Sequence, residues 1–219
     1  MKWSFATDLP VQFALVEIDG VQVQENMSAF ERLAERAEHY ADLYQWTPLS
    51  EIPGVQNARQ FFRAIGLDPT RRRPSSEALL NRAIKKKELY TVNNLVDVGN
   101  WCSLDFLLPT CIYDSDKIQG DVVIRLGQEG ESYLALNNRE IDFEGRFVLV
   151  DETGPFGSPM TDSQRTAVTV ETRQAMLGVW APSSFDKNAL IKHAEQFSKR
   201  AVEYCGGSQK RLEFKSSIS

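Results

Sequence analysis

Residues 90–125 read YTVNNLVDVGNWCSLDFLLPTCIYDSDKIQGDVVIR, a helix start, an amphipathic helix, a proline stop and two strands in one uninterrupted unit. Asn94 offers a side-chain acceptor to the first free amides of a helix, and Asp97 places negative charge in its first turn, so the spacing predicts a helix from Asn94. Leu95, Val98, Cys102 and Phe106 recur on one helical face. Pro109 cannot donate to a helical ladder and marks a point by which that helix has ended. Residues 110–113 are β-prone, residues 114–117 have turn chemistry, and Val122, Val123 and Ile124 make an apolar run suited to a buried strand.

These residues resemble a known family. NNLVDVGNWCSLDFLLPTCIYDSDKIQGDVVIR is similar to the signature of the B3/B4 domain in the β chain of bacterial phenylalanyl-tRNA synthetase. There an N-x-V-V-D-V-T-N helix leads to G-Q-P-x-H-A-[FY]-D and a G-x-[IV]-x-[VI]-R strand. RPSSEALLNR upstream, and residues 147–151 through Gly178 downstream, extend the resemblance. It implies a layered α+β domain, a β-sandwich core of mixed strands flanked by helices, of the kind that hydrolyses tyrosine wrongly attached to tRNA. Two positions depart from the pattern: the threonine of D-V-T-N is Gly99, and the histidine of P-x-H-A-[FY]-D is Cys111. The glutamate that helps place the attacking water falls near Gly178. The resemblance therefore implies a pocket between the carboxyl half of the helix, residues 109–114 and the glycine-bearing loop 154–159. Its candidate lining is Gly99, Asn100, Cys111, Gly154, Phe156 and Gly157, roomier at Gly99 and less polar at Cys111 than in the family.

Composition narrows the classes. The 219 residues, with no Pro/Gly/Ser-rich linker, suit one domain over 1–219 with a tail fraying from about 208. A net charge of −5 argues against a surface that coats DNA. Nothing near the amino terminus has the apolar core of a signal peptide and no apolar run approaches the about 18 residues of a spanning helix, so a cytoplasmic protein is expected. The three cysteines are widely spaced, so neither a metal pair nor a disulfide framework is expected, and no cofactor is implied. Nothing in the composition specifies an oligomeric state.

The rest of the chain supplies elements and one cationic region. FALVEI at 13–18 reads as a strand closed by Asp19-Gly20, and Ser28-Ala29-Phe30-Glu31 reads as a capping box opening a helix that buries Phe30, Leu33 and Ala37. His39 falls on that helix's solvated face. A second helix spans residues 55–65 and stops at Gly66. Arg71, Arg72, Arg73, Arg82, Lys85, Lys86 and Lys87 flank and occupy a helix beginning at Ser75 or Ser76, against only Glu77 and Glu88. Such a region is a footprint for tRNA phosphates or, equally, a solvated helix face. Residues 133–136, 147–150, 166–170 and 175–180 read as strands, with Asn137-Asn138 as a turn. Residues 151–159 and the polar cluster Asp162, Ser163, Arg165 and Thr166 read as a long loop. Ala189, Leu190, Ala194, Phe197 and Ala201 define a closing helix stopped by Gly206-Gly207, with His193 beside its apolar stripe.

Two functions of different class remain open. One is a freestanding B3/B4-like domain that binds aminoacyl-tRNA or an amino acid and hydrolyses misacylated tRNA in trans, a reaction that needs no protein nucleophile when the RNA's own hydroxyl assists. The other is a non-catalytic RNA- or small-molecule-binding module. No triad, phosphate loop or metal spacing is present. Cys111 has no histidine beside it in sequence and reads as a packed core thiol. Asn100 is the candidate hydrogen-bonding group for a bound amino acid.

Overall fold

The computed structural model describes residues 1–217. In chain order its strands are β1 (Trp3–Phe5), β2 (Val11–Asp19), β3 (Thr110–Asp114), β4 (Val122–Leu126), β5 (Ser132–Leu134), β6 (Glu140–Asp142), β7 (Phe147–Asp151), β8 (Gly154–Gly157), β9 (Gln174–Pro182) and β10 (Ser208–Ser216). The main helices are α1 (Ser28–Tyr44), α2 (Val55–Ala64), α3 (Ser75–Ile84), α4 (Asn94–Phe106) and α5 (Lys187–Cys205).

Strand β2 is buried along almost its whole length, with apolar residues on both faces. Phe13 and Leu15 point into a core shared with Trp3, Tyr113, Ile124, Leu149, Phe156 and Trp180. Ala14, Val16 and Ile18 point the other way, against Leu95 and Val98 of α4 and Leu190 and Phe197 of α5. Two four-stranded sheets result, ordered β1-β4-β7-β8 and β10-β2-β9-β3, with helices covering the outer face of the second. This is the layered α+β architecture with a two-sheet core that the resemblance implies. Only β1 and β4 run parallel within these sheets. A separate hairpin, β5-β6, lays Tyr133 and Phe143 over the outer face of the first sheet with Val148 and Val150.

Several expectations need correction. The tail expected to fray is β10, paired antiparallel along β2 through residue 216, with Leu212 and Phe214 against the helical core; residues 218–219 lie outside the described residues. The period-2 alternation of Leu212 and Phe214 gives the segment an inward face, and without it β2 would be an open edge. Residues 166–170 form no strand. Thr169 N–H donates to Thr172 Oγ1 at 3.0 Å, Thr172 N–H to the Thr169 carbonyl at 3.0 Å, and Glu171 N–H to Thr169 Oγ1 at 3.3 Å, so local hydroxyl turns replace a ladder. The capping box at Ser28 does not form: the N-cap is Met27, without a side-chain cap bond, and Ser28 donates its hydroxyl at 2.7 Å and its N–H at 3.2 Å to one side-chain oxygen of Asn26. Residues 154–157, expected as loop, add β8 to the edge of the first sheet.

Removing residues 208–219 strips two half-buried apolar side chains and one strand's ladder. Urea denaturation of that shortened chain is expected to show a loss of about 2 kcal/mol or more; a midpoint equal to that of the intact protein would return the segment to the status of a frayed tail.

Candidate functional site at the free edge of strand β3

The position of α4 is set by its first turn. Asn93, not Asn94, is the N-cap, accepting the Val96 N–H at 2.9 Å. Asn94 fastens the helix to distant backbone: its amide donates to the Gln22 and Tyr204 carbonyls at 3.0 Å each and accepts the Gln24 N–H at 2.9 Å. Asp97 closes the turn, accepting the Thr91 hydroxyl at 2.6 Å and the Val92 N–H at 3.1 Å. Two turns on, Gly99 and Asn100 stand over β3, which pairs only with β9 and so leaves one edge open.

A cavity of about 260 Å³ lies along that edge. Gly99, Asn100, Thr110, Cys111, Leu136 and Asp162 line it, together with apolar residues of the approach to α4 and of the 167–168 segment. Three of the expected pocket residues, Gly99, Asn100 and Cys111, are therefore brought together. Gly154, Phe156 and Gly157 do not line it. They belong to β8, where Phe156 is fully buried between the sheets and Gly157 lies against Tyr113, so close that a Cβ there would sit 2.2 Å from the phenol oxygen. The cavity wall comes instead from the later part of the same connection, around Asp162 and Val168.

The chemistry of the lining follows from its packing. The half-buried Asn100 amide makes no hydrogen bond among the described residues, so its donors and acceptor are available to a ligand. The extra room expected at Gly99 is absent: Ile112 Cδ1 lies where a Cβ would be only 2.4 Å away. At Gly178 a Cβ would meet the Phe13 ring at 2.3 Å and Cys111 Sγ at 2.8 Å, so no carboxylate fits there without displacing an aromatic that stacks on Trp180 at 3.9 Å. Burial pushes the Cys111 thiol well above its ordinary range, which leaves it protonated and unsuited to nucleophilic attack.

Asp162 is the group that the sequence did not single out. Tight surroundings push its carboxyl up to about 7, opposed by the Tyr113 hydroxyl, which donates to it at 2.5 Å, and by the Ser158 N–H. Its only sign in the sequence is membership of the polar run 162–166. What places it is a strand crossing in which Ala135 bridges Ser163 and the Leu136 N–H donates to the Asp162 carbonyl at 3.1 Å.

The cationic region divides. Arg71, Arg72 and Arg73 lie at one end of α3 and Lys85, Lys86 and Lys87 at the other, about 15 Å apart at 1.5 Å per residue. Arg82 donates to the Glu88 carbonyl and lies 4.6 Å over the Tyr90 ring, while Lys86 stands 3.9 Å from Asp42. Arg73 contacts the buried Glu77 at 3.2 Å, which Arg59 also holds through two bonds of 2.8 Å. Arg72, Arg73 and Arg139 line a groove of about 310 Å³ with Asn137 and Thr161. Because Asn137 and Thr161 adjoin Leu136 and Asp162 in sequence, that groove lies on the other side of the crossing that walls the cavity. His39 is exposed, and His193 stacks on Phe106 at 4.3 Å with its pKa lowered by burial. Among the described residues no three His, Cys, Asp or Glu side chains could hold a metal, and no helix is long and apolar enough to cross a membrane.

The two-sheet α+β core thus carries a small polar-tipped cavity at a sheet edge. Residues 57–202 match the B3/4 domain family, and the chain belongs to that family. It is similar to the phenylalanine–tRNA ligase β subunit of Brucella abortus strain 2308, with 26% identity over 153 residues covering 58% of this chain and 19% of that protein. The corresponding subunit of Bartonella henselae is 30% identical over 123 residues, 52% of this chain and 15% of that protein. The chain thus spans less than a fifth of the length of these two relatives. Among solved structures, an N-terminal fragment of the phenylalanyl-tRNA synthetase β subunit from Pyrococcus horikoshii aligns over 95% of this chain and 50% of that one, with a TM-score of 0.47 and 14% identity.

Two outcomes are expected. All three cysteines are free and buried, with Cys102 and Cys205 pushed up to about 12 by burial, so iodoacetamide at neutral pH leaves the folded protein unlabelled by mass spectrometry and labels all three after unfolding. Gly178→Ala forces a methyl into the Phe13 ring and lowers stability by about 1–3 kcal/mol in thermal denaturation.

Proposed function

We propose that this chain binds the aminoacyl end of a tRNA and takes the amino acid into the cavity beside Asn100. The observation that carries the reading is the Asn100 amide, which faces a cavity with no protein partner among the described residues. At about 260 Å³ the cavity falls just below the ~300–1,000 Å³ of sites for drug-sized ligands and suits a group of amino-acid size. The relatives are named as tRNA ligase subunits, and the arginine groove adjoining the cavity offers cations to a phosphate backbone leading into it. A neutral thiol, two distant histidines and a closed Gly178 position leave no activated nucleophile at the cavity. Recognition is accordingly the function proposed, and hydrolysis of a misacylated ester would rest on a positioned water and the RNA's own hydroxyl.

A panel of aminoacyl-tRNAs, each followed for binding and for loss of the ester bond, tests this directly. Asn100→Ala should abolish amino-acid-dependent discrimination while changing stability by less than about 1 kcal/mol, since the amide makes no bond within the protein. Reversing charge at Arg71, Arg72, Arg73 and Arg139 should weaken binding of all tRNAs alike and flatten the salt dependence by about 0.9 per lost phosphate contact. Ester loss in the panel assigns a deacylase, and binding without it assigns a recognition module. Equal binding of charged and uncharged tRNA by both the wild type and Asn100→Ala would remove the amino acid from the cavity.

A further inference from the structure

We propose that Asp162 is the counter-ion for the α-ammonium group of the bound amino acid, so that the cavity selects ligands with a free amine and an esterified or amidated carboxyl. The inference rests on the reading of the cavity as an amino-acid site and goes beyond it in assigning the charge of the ligand. Asp162 is the single charged side chain among the lining residues; no lysine, arginine or histidine is among them. A lining of that sign disfavours a free carboxylate and favours a cation. An aminoacyl ester carries its amine as the only charge near the reacting centre, because the carboxyl is consumed in the ester.

The surroundings of Asp162 support the assignment. Tyr113 and Cys111 on β3, Tyr133 on β5 and the Ser158 N–H surround its carboxyl, and none is a cation. Arg165, three residues on, is turned away into a paired contact with Asp151 at 2.8 and 2.9 Å, and Arg72 reaches Met160 in the neighbouring groove at 3.8 Å. The carboxyl is thus held in place by a phenol on one oxygen without being neutralised by a protein cation. Its pKa near 7 is what an unpaired carboxyl in tight surroundings gives, and a bound ammonium would draw it back down. Asn100, on the α4 wall, is left for the ligand's carbonyl or amine.

The test is calorimetric titration with the proteinogenic L-amino acid amides, their N-acetyl forms and the free amino acids. The wild type should bind at least one amide, and bind its N-acetyl form and its zwitterion more weakly by about tenfold or more. Affinity for the amide should rise with pH through about 7, as Asp162 ionises, and fall again as the amine loses its proton near 8. Asp162→Asn should lose about tenfold or more in amide affinity while its far- and near-UV circular dichroism stays that of the wild type. Tyr113→Phe removes a bond that lowers the carboxyl's pKa, so its affinity should rise only at higher pH, while it keeps the preference for a free amine. This second variant and the N-acetyl comparison keep the assignment testable if Asp162→Asn does not fold. Equal binding of an amide and its N-acetyl form, or a folded Asp162→Asn protein with wild-type affinity, overturns the assignment and leaves the amino-acid site standing. Failure of every amide, N-acetyl amide and free acid to bind the wild type overturns the site and the assignment together.

Discussion

The Phe13 ring lies over Gly178 and stacks on Trp180 at a centroid distance of 3.9 Å, and much else in the molecule depends on that contact. Trp180 in turn stacks on Phe61 of α2 at 5.7 Å and meets Phe147 of β7 edge-on at 5.5 Å, while Trp3 of β1 packs on Phe13 at 5.9 Å. One aromatic cluster therefore ties both sheets and α2 together, and large buried rings are the heaviest contributors to a core of this kind. The absence of a side chain at Gly178 is the condition for it. A residue with a Cβ at that position would have to displace Phe13, so the two features come as a pair.

The same contact shapes the site. Phe13 and Cys111 close over Gly178, and the cavity beside β3 lies out at the edge of the sheet. There the walls are α4, held by the Asn94 fastening, and the strand crossing at residues 135–137 and 161–163. Both walls are held by bonds within the protein itself. A cavity whose shape exists before binding loses less conformational entropy on binding than one that must be assembled. The side chains exposed in it, an unpartnered amide and a carboxylate held by a phenol, are suited to hold a polar group in a fixed orientation. Neither they nor the neutral thiol is an activated nucleophile. Core and cavity are separated in this way: the aromatic cluster joins the sheets, and a few polar atoms lie at the rim.

Local periodicity made much of the architecture legible. The run from Asn94 to Arg125 contains its own start, stop and turns, and helix, strand, turn and strand follow in that order. The closing helix and the strands at 13–18, 147–150 and 175–180 were equally plain, since their apolar residues repeat at helical or strand spacing. Errors fell where a signal depended on a partner far away, or where a neighbouring side chain competed for the backbone. Leu212 and Phe214 alternate as a strand should, but the value of that alternation depends on β2 lying alongside. Residues 166–170 are rich in strand formers, yet the hydroxyls of Thr169 and Thr172 found closer partners in their own backbone.

For the site the division is sharper. Sequence alone determined that Gly99, Asn100 and Cys111 belong to one helix–strand unit, because they lie within a single turn and strand of each other and their contacts are local. It also placed the basic residues around one helix, although it could not show that the ends of α3 divide them into two groups. Tertiary structure decided the rest. Ile112 fills the space above Gly99, Phe13 closes Gly178, β8 carries Phe156 and Gly157 away from the cavity, and a bridge between residues 135 and 163 brings Asp162 into it. Except for Ile112, which lies in the same helix–strand unit as Gly99, these are contacts between segments far apart in the chain, and such contacts are chosen by close packing of whole layers rather than by the preferences of the residues that make them.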